Sequence, residues 1–228
     1  MKKLSKLFVL SMLALLTAMP ASAQYRRPYG MNRGSYGLPS PQVSKFSSPY
    51  TYYGLRVGLT GATVHSDDQR LDGGSMLAGL NLSVNVGVLL SSYTPLFFET
   101  GLEYIEKGGK GTNDGKKFTY SMNYIEVPLV LKYQAKIDRD MAVTPFLGGY
   151  LACGVDGRIR DFGERQVQSS FSAQNFKRFD GGLRLGCGLM ADIFYAEVGY
   201  DVGLANVSND LFDQSRTGTL FANIGIHF

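Results

Sequence analysis

The sequence is poor in the residues that build catalytic and metal centres. It contains only two histidines and two cysteines among 228 residues. His65, with Asp67 and Asp68, resembles part of a hydrolase pair or a metal site, but spacing places no nucleophile or third ligand beside it. We interpret this group as a solvated polar segment, and we expect no catalytic residue, no metal ion, no cofactor and no enzymatic activity.

The net positive charge of the sequence is confined to the first 50 residues. The formal net charge is +4, and Lys2, Lys3 and Lys6 account for three of these charges. Residues 24–50 carry four more cations (Arg26, Arg27, Arg33 and Lys45) and no acid, which leaves residues 51–228 at −3. A nucleic-acid-binding surface is therefore excluded, because basic residues do not concentrate on any predicted element.

Residues 1–23 predict a secretory signal peptide. The three lysines precede an apolar run, Leu7–Met19, and Ala21–Ala23 forms a small-residue cleavage site. The run is shorter than the ~20 residues of a membrane-spanning helix. We expect the mature chain to begin at Gln24.

Residues 24–50 predict a flexible, basic periplasmic arm. The segment is rich in Gly, Pro, Ser and Tyr and has no apolar period, so it buries too little surface to offset its ordering entropy. An alternative is that its four cations contact anionic lipid headgroups or a periplasmic partner.

Residues 51–228 show the two-residue period of β-strands. From Ala78 to Val88 the even positions are all Ala, Leu or Val, and the odd positions are all Gly, Asn or Ser. A helix with this pattern would scatter its apolar residues around every side, whereas a strand separates them onto two faces. The length also suits a membrane strand of about 9–11 residues.

The same alternation recurs along the chain and predicts eight strands without a persuasive helix. The candidate strands are Leu55–Thr60, Ala78–Val88, Phe98–Tyr104, Ile125–Tyr133, Met141–Gly154, Leu183–Leu189, Phe194–Leu204 and Leu220–Phe228.

The connections between these strands alternate in length. Short links (Ser91–Pro95, Ala135–Asp140 and Ala191–Asp192) alternate with longer polar ones (His65–Ser75, Gly108–Lys117, Asp156–Lys177 and Ala205–Ser215). Bacterial barrels have short periplasmic turns and longer external loops. The pattern predicts an all-β, eight-stranded, antiparallel up-and-down transmembrane barrel with both termini in the periplasm.

The polar face of the strands predicts a filled lumen rather than a water-exposed exterior. It consists mostly of small residues and a few charges, because an eight-stranded interior is just wide enough for side chains to fill. An Arg or Lys turned to mid-membrane would cost about 2–4 kcal/mol. The predicted lumen charges are Arg56, Glu99, Glu103, Glu126, Lys132, Arg184, Glu197 and Asp201.

Other side chains are assigned by the same parity. His227 is expected to face the lumen and hydrogen-bond a neighbour, and Cys153 and Cys187 are expected to be free, lipid-facing thiols out of register with each other. The aromatic residues towards strand ends predict interfacial girdles: Tyr53, Tyr93, Phe97, Phe98, Tyr104, Tyr120, Tyr133, Phe194 and Tyr200.

Three segments carry a family resemblance. Asn123–Tyr133 resembles the central-strand signature of the PorT-like outer-membrane β-barrel family, and Ala196–Val207 is similar to that family's penultimate strand, although Gly199 stands where members often have Arg. Gly225–Phe228 resembles the aromatic terminal strand that barrel-assembly machinery recognises, with Phe228 as its signal.

The resemblance covers roughly residues 50–228 and implies a protein of the bacterial outer membrane, surrounded by its lipid. Within that frame we expect a structural or surface-interaction role with a filled lumen. The alternatives are an accessory component of a secretion or gliding apparatus, with a periplasmic or secretion-complex partner bound through residues 24–50, and a small porin-like channel.

Overall fold

The fold is a closed, antiparallel, all-β barrel of eight long strands. The computed structural model describes residues 50–66, 73–91, 93–113, 116–138, 140–160, 168–171, 176–207 and 215–228. The predicted signal peptide and almost all of the predicted arm lie outside these residues. Within the described part of the chain, no helix has the length and apolar character needed to cross a membrane.

The eight strands follow one another around the barrel in chain order. They are β1 (Thr51–Ser66), β2 (Gly73–Leu89), β3 (Leu96–Asn113), β4 (Lys116–Tyr133), β5 (Met141–Arg160), β6 (Phe179–Ala191), β7 (Phe194–Gly203) and β8 (Ser215–His227). Two-residue bridges, Ala135–Lys136 and Gln168–Ser169, add to β5. Each long strand pairs with its neighbours, and β8 pairs with β1, so the sheet closes and the predicted strand number is confirmed.

The connections at the two ends of the barrel differ. The end that carries the start of β1 and the end of β8, which we call the terminal end, has tight turns such as Asp192–Ile193, where Asp192 takes a φ of 55° that Asp tolerates in turns. The opposite end, which we call the loop end, carries the longer links. The prediction of a long link at Gly108–Lys117 is wrong, because β3 and β4 remain paired as far as Asn113 and Lys116.

Strands β1 to β5 contain 16 to 20 residues, which is more than the predicted segments and more than a membrane requires. Most of their added length lies at the loop end. The hydrophobic pattern fades there because these residues lie beyond the apolar layer, and alternation alone therefore placed the strand ends too early.

Large side chains fit the narrow interior because glycine faces them across the strands. Tyr52 pairs with Gly87, and a β carbon on that glycine would lie 2.2 Å from the tyrosine ring. Phe221 pairs with Gly199 in the same way, and the added β carbon would lie 2.4 Å from its ring. The small residues on the inward face are thus complements of the aromatic ones.

Large apolar side chains cover the outside of the barrel. Val57, Leu59, Leu102, Leu147 and Ile224 are each more than half exposed. An apolar surface of this extent around a whole molecule marks contact with membrane.

Seven of the nine residues predicted for the aromatic girdles point outwards, and two do not. Phe97 and Tyr120 are buried in the interior. Phe97 has the inward parity of its neighbour Glu99, and Tyr120 lies in the part of β4 that precedes the predicted strand Ile125–Tyr133. Both errors follow from judging an aromatic by its place along the strand rather than by its parity.

The two cysteines are free and exposed, as predicted. Cys153 lies opposite Phe179, and Cys187 lies opposite Pro145, so the two thiols occupy different levels of neighbouring strands.

Candidate functional site

The barrel interior holds two clusters of buried charges that include all eight of the predicted lumen residues. We call them the lower cluster, nearer the terminal end, and the upper cluster, nearer the loop end. The charges come from five strands (β1, β3, β4, β6 and β7), and each cluster connects strands that are not neighbours in the sheet.

The lower cluster alternates two cations with two carboxylates. Arg56 contacts Glu99 at 2.5 Å and Glu197 at 3.3 Å. Lys132 contacts Glu99 at 2.9 Å and Glu197 at 3.3 Å. Each carboxylate therefore lies between two cations, which balances the formal charge of these four groups.

Aromatic rings frame the lower cluster. The Tyr52 hydroxyl donates to Glu99 at 2.5 Å, and the His227 ring stacks between Tyr52 and Tyr195 with centroid distances of 4.7 and 4.2 Å. The Arg56 guanidinium lies 2.9 Å from Nε2 of His227. Because a guanidinium only donates, Nε2 accepts this bond and the imidazole proton belongs on Nδ1.

The upper cluster is centred on Arg184. Its guanidinium binds both oxygens of Asp201, at 2.7 and 2.8 Å, and also Glu103 and Glu126, each at 2.6 Å. Arg184 and Asp201 face each other on β6 and β7, whereas Glu103 and Glu126 face each other on β3 and β4. Like charges opposite each other destabilise a sheet, so the β3–β4 pair depends on the guanidinium that reaches it across the lumen.

The sequence prediction did not include two charged residues of the upper cluster. Lys107 contacts Glu126 at 2.9 Å and Asp180 at 3.5 Å, and both Lys107 and Asp180 are fully buried. Asp180 also accepts hydrogen bonds from the Thr217 hydroxyl and the Gly181 amide, at 2.9 and 2.8 Å. The alternation of the strands could have identified both residues as inward-facing. Lys107 lies an even number of residues after Glu99 and Glu103, and Asp180 lies an even number before Arg184.

Apolar and aromatic side chains fill the lumen beyond the upper cluster. We call this group the aromatic plug, and its buried members are Val64, Ile105, Phe118, Tyr120, Met122, Tyr124, Tyr150, Ala152, Phe171, Phe176 and Val207. Phe176 packs on Tyr120 with centroids 5.3 Å apart, and Phe171 meets Tyr124 edge-on at 5.5 Å. Two aromatic residues from the link after β5 therefore cover the lumen at the loop end.

The remaining predicted residues lie elsewhere. His65 is near the end of β1 and exposed, while Asp67 and Asp68 fall outside the described residues. Phe228 exchanges backbone hydrogen bonds with Tyr53 at 2.9 and 2.8 Å, so it contributes to the closure between β8 and β1. The described ranges contain no group of three or more His, Cys, Asp or Glu residues arranged to hold a metal ion.

Sequence comparison assigns the family. Residues 42–209 match the model of the outer membrane protein beta-barrel domain. The chain belongs to this family. This outer-membrane barrel protein accordingly resides in the bacterial outer membrane, and its apolar outer surface faces lipid.

Several solved barrels resemble the structure at low sequence identity. They include Ail, the attachment invasion locus protein of Yersinia pestis (14% identity, 79% of this chain and 100% of that chain, TM-score 0.43), Neisserial surface protein A (15%, 77% and 97%, TM-score 0.49) and OprG from Pseudomonas aeruginosa (9%, 78% and 95%, TM-score 0.44). No curated protein matches the chain in sequence.

The central position of Arg184 predicts a large loss of stability when it is replaced. Arg184→Met leaves three buried carboxylates without their shared cation, and we expect the free energy of unfolding in lipid vesicles to fall by about 3–5 kcal/mol. Urea unfolding followed by tyrosine fluorescence measures this change.

Arg158→Met is the matched control, because Arg158 is an exposed arginine on β5 and its loss should cost less than about 1 kcal/mol. If Arg184→Met prevents insertion, Glu126→Gln removes a single carboxylate charge and provides a milder change. Stability equal to the wild type in both lumen variants would contradict the central role of this cluster.

Proposed function

We propose that this protein is a non-conducting, non-enzymatic outer-membrane barrel that acts through structure or through surface interaction. The observation that carries the proposal is the filled lumen. The lower cluster, the upper cluster and the aromatic plug follow one another along the barrel axis, and their charges are buried and mutually paired. Because the lumen is filled, binding of a partner would take place on the outer surface of the barrel, where the long strands project at the loop end.

Orientation follows from the connections. The tight turns, the start of β1 and the end of β8 lie at the terminal end, which we assign to the periplasm. The longer links lie at the loop end, which we assign to the cell exterior. This assignment is consistent with Phe228 serving as the signal for barrel assembly at the periplasmic face.

The filled lumen predicts the absence of a steady ion current. Purified protein in planar bilayers should give no stable single-channel step, because eight-stranded barrels of this kind leave no continuous aqueous path. A variant with Tyr120→Ala and Tyr124→Ala should also stay closed, since both charge clusters remain. Protease protection of the inserted barrel is the control for insertion, and a large, steady current in the wild type would contradict the proposal.

The orientation predicts which positions react on intact cells. In a background with Cys153→Ser and Cys187→Ser, Lys177→Cys at the loop end should be labelled by a membrane-impermeant maleimide. Ile137→Cys, in a turn at the terminal end, should react only after the outer membrane is opened. Both original residues are exposed, so the two positions differ chiefly in the side of the membrane. The reverse pattern of labelling would overturn the assignment.

An accessory role in a secretion or gliding apparatus is a second candidate, and it is supported by the resemblance of Asn123–Tyr133 to the PorT-like family. On this hypothesis, pull-down from native membranes recovers a stable partner with the mature chain and loses it when residues 24–49 are deleted. Recovery of no partner with the intact mature chain would count against the apparatus role, while leaving the closed-barrel proposal in place.

A further inference from the structure

The outer face of β3, β4 and β5 changes character abruptly towards the loop end. The last row of this face below the change consists of Tyr104, Ile125 and Cys153. Beyond it the cross-strand register gives three rows: Glu106–Asn123–Asp156, then Gly108–Ser121–Arg158, then Lys110–Thr119–Arg160. The outer wall thus passes from an apolar surface through one acidic row to two basic rows.

A cavity of about 330 Å³ opens on this part of the wall. Leu77 and Gly79 border it on β2, Thr119 and Ser121 lie on β4, and Arg158 and Arg160 lie on β5. The hollow coincides with an interruption of the β2–β3 ladder, whose pairing breaks between Ser75–Lys110 and Asn81–Ile105.

The interrupted ladder is held in place by Glu106. Its carboxylate accepts a hydrogen bond from the Leu80 amide at 3.0 Å and one from the Tyr104 hydroxyl at 3.2 Å, and its backbone carbonyl accepts one from Thr60 at 2.7 Å. Gly108 adopts a φ of 152°, and a β carbon there would lie 2.2 Å from the Tyr120 carbonyl oxygen. The cavity is therefore a built feature of the wall.

The cations of the two basic rows have no partner among the described residues. Lys110, Arg158 and Arg160 are exposed, and none forms an ion pair with a described carboxylate. Two hydroxyl side chains, Thr119 and Ser121, lie between them on β4. Arginine forks beside hydroxyl donors are suited to phosphate oxygens.

The distance of the basic rows from the apolar surface indicates which class of anionic lipid they can reach. With a rise of about 3.3 Å per residue and a strand tilt of about 40°, the basic rows lie about 10 and 15 Å beyond the last apolar row. A phospholipid polar layer is only about 5–8 Å thick on each side. The two arginines therefore reach beyond ordinary phospholipid phosphates to the level of a thicker polar headgroup.

We propose that the basic rows and their cavity bind the phosphate-bearing headgroup of a glycolipid in the surrounding outer leaflet. The inference rests on the proposed orientation, which places the loop end outside. The carboxylate of Glu106 is already hydrogen-bonded to the Leu80 amide and the Tyr104 hydroxyl. Asp156 lies in the same acidic row, nearer the apolar surface than the basic rows. This acidic row repels a phosphate group, which therefore binds nearer the loop end, at Arg158 and Arg160.

Native mass spectrometry of the mature chain in detergent tests this proposal with lipid A as the probe. We expect phosphorylated lipid A to bind about tenfold more tightly than dephosphorylated lipid A, and a variant with Arg158→Gln and Arg160→Gln to lose this difference. Arg216→Gln is the matched control, because Arg216 is an exposed arginine on β8, away from the cavity, and its loss should change affinity less than about twofold.

Several results would overturn the proposal. They are equal binding of the dephosphorylated lipid, equal loss in Arg216→Gln, equal affinity for phosphatidylglycerol, and full competition by a soluble sulfated glycan, which would point to a lipid-free polyanion instead. The binding measurement in detergent does not depend on orientation or conductance. Failure of the lipid site is therefore distinguishable from failure of the proposed function, which maleimide labelling and bilayer currents test separately.

Discussion

The structure depends on the sharing of buried charge across the lumen. No carboxylate of the lower cluster is served by one cation alone, and Arg184 holds three carboxylates from three strands. Burying ions costs several kcal/mol per ion, and only close contacts with good geometry offset this cost. Strand register is consequently under strong constraint, because a slip of one residue would turn a charge to the lipid and a leucine to the lumen.

This constraint explains how far the sequence could predict the molecule. Odd and even positions of a strand can be assigned to its two faces wherever one set is clearly apolar and the other polar. The inward positions of Arg56 and Glu126 could be predicted from the sequence for this reason. Contrast disappears where a strand leaves the apolar layer, and Lys107 was missed for that reason. The pairing of Arg184 with Glu103 joins β6 to β3 across the barrel, and no local pattern encodes a contact of that kind.

Aromatic residues show a second limit of prediction from hydrophobicity. Phe118, Tyr120 and Tyr124 are as apolar as residues that face lipid, yet they form the plug and are buried. Hydrophobicity distinguishes a lipid face from a polar lumen, but it does not distinguish a lipid face from an apolar plug. At the loop end the polarity is in fact reversed, since aromatic side chains point inwards while Thr119 and Ser121 point outwards.

The closure between β1 and β8 has a consequence for biogenesis. Tyr53 and Phe228 bond to each other although the whole barrel separates them along the chain. Until β8 arrives, β1 keeps a row of unsatisfied amides and carbonyls that would readily join another chain. In a nascent copy of this protein, the risk of aggregation through β1 therefore ends only when β8, the last strand, pairs with it.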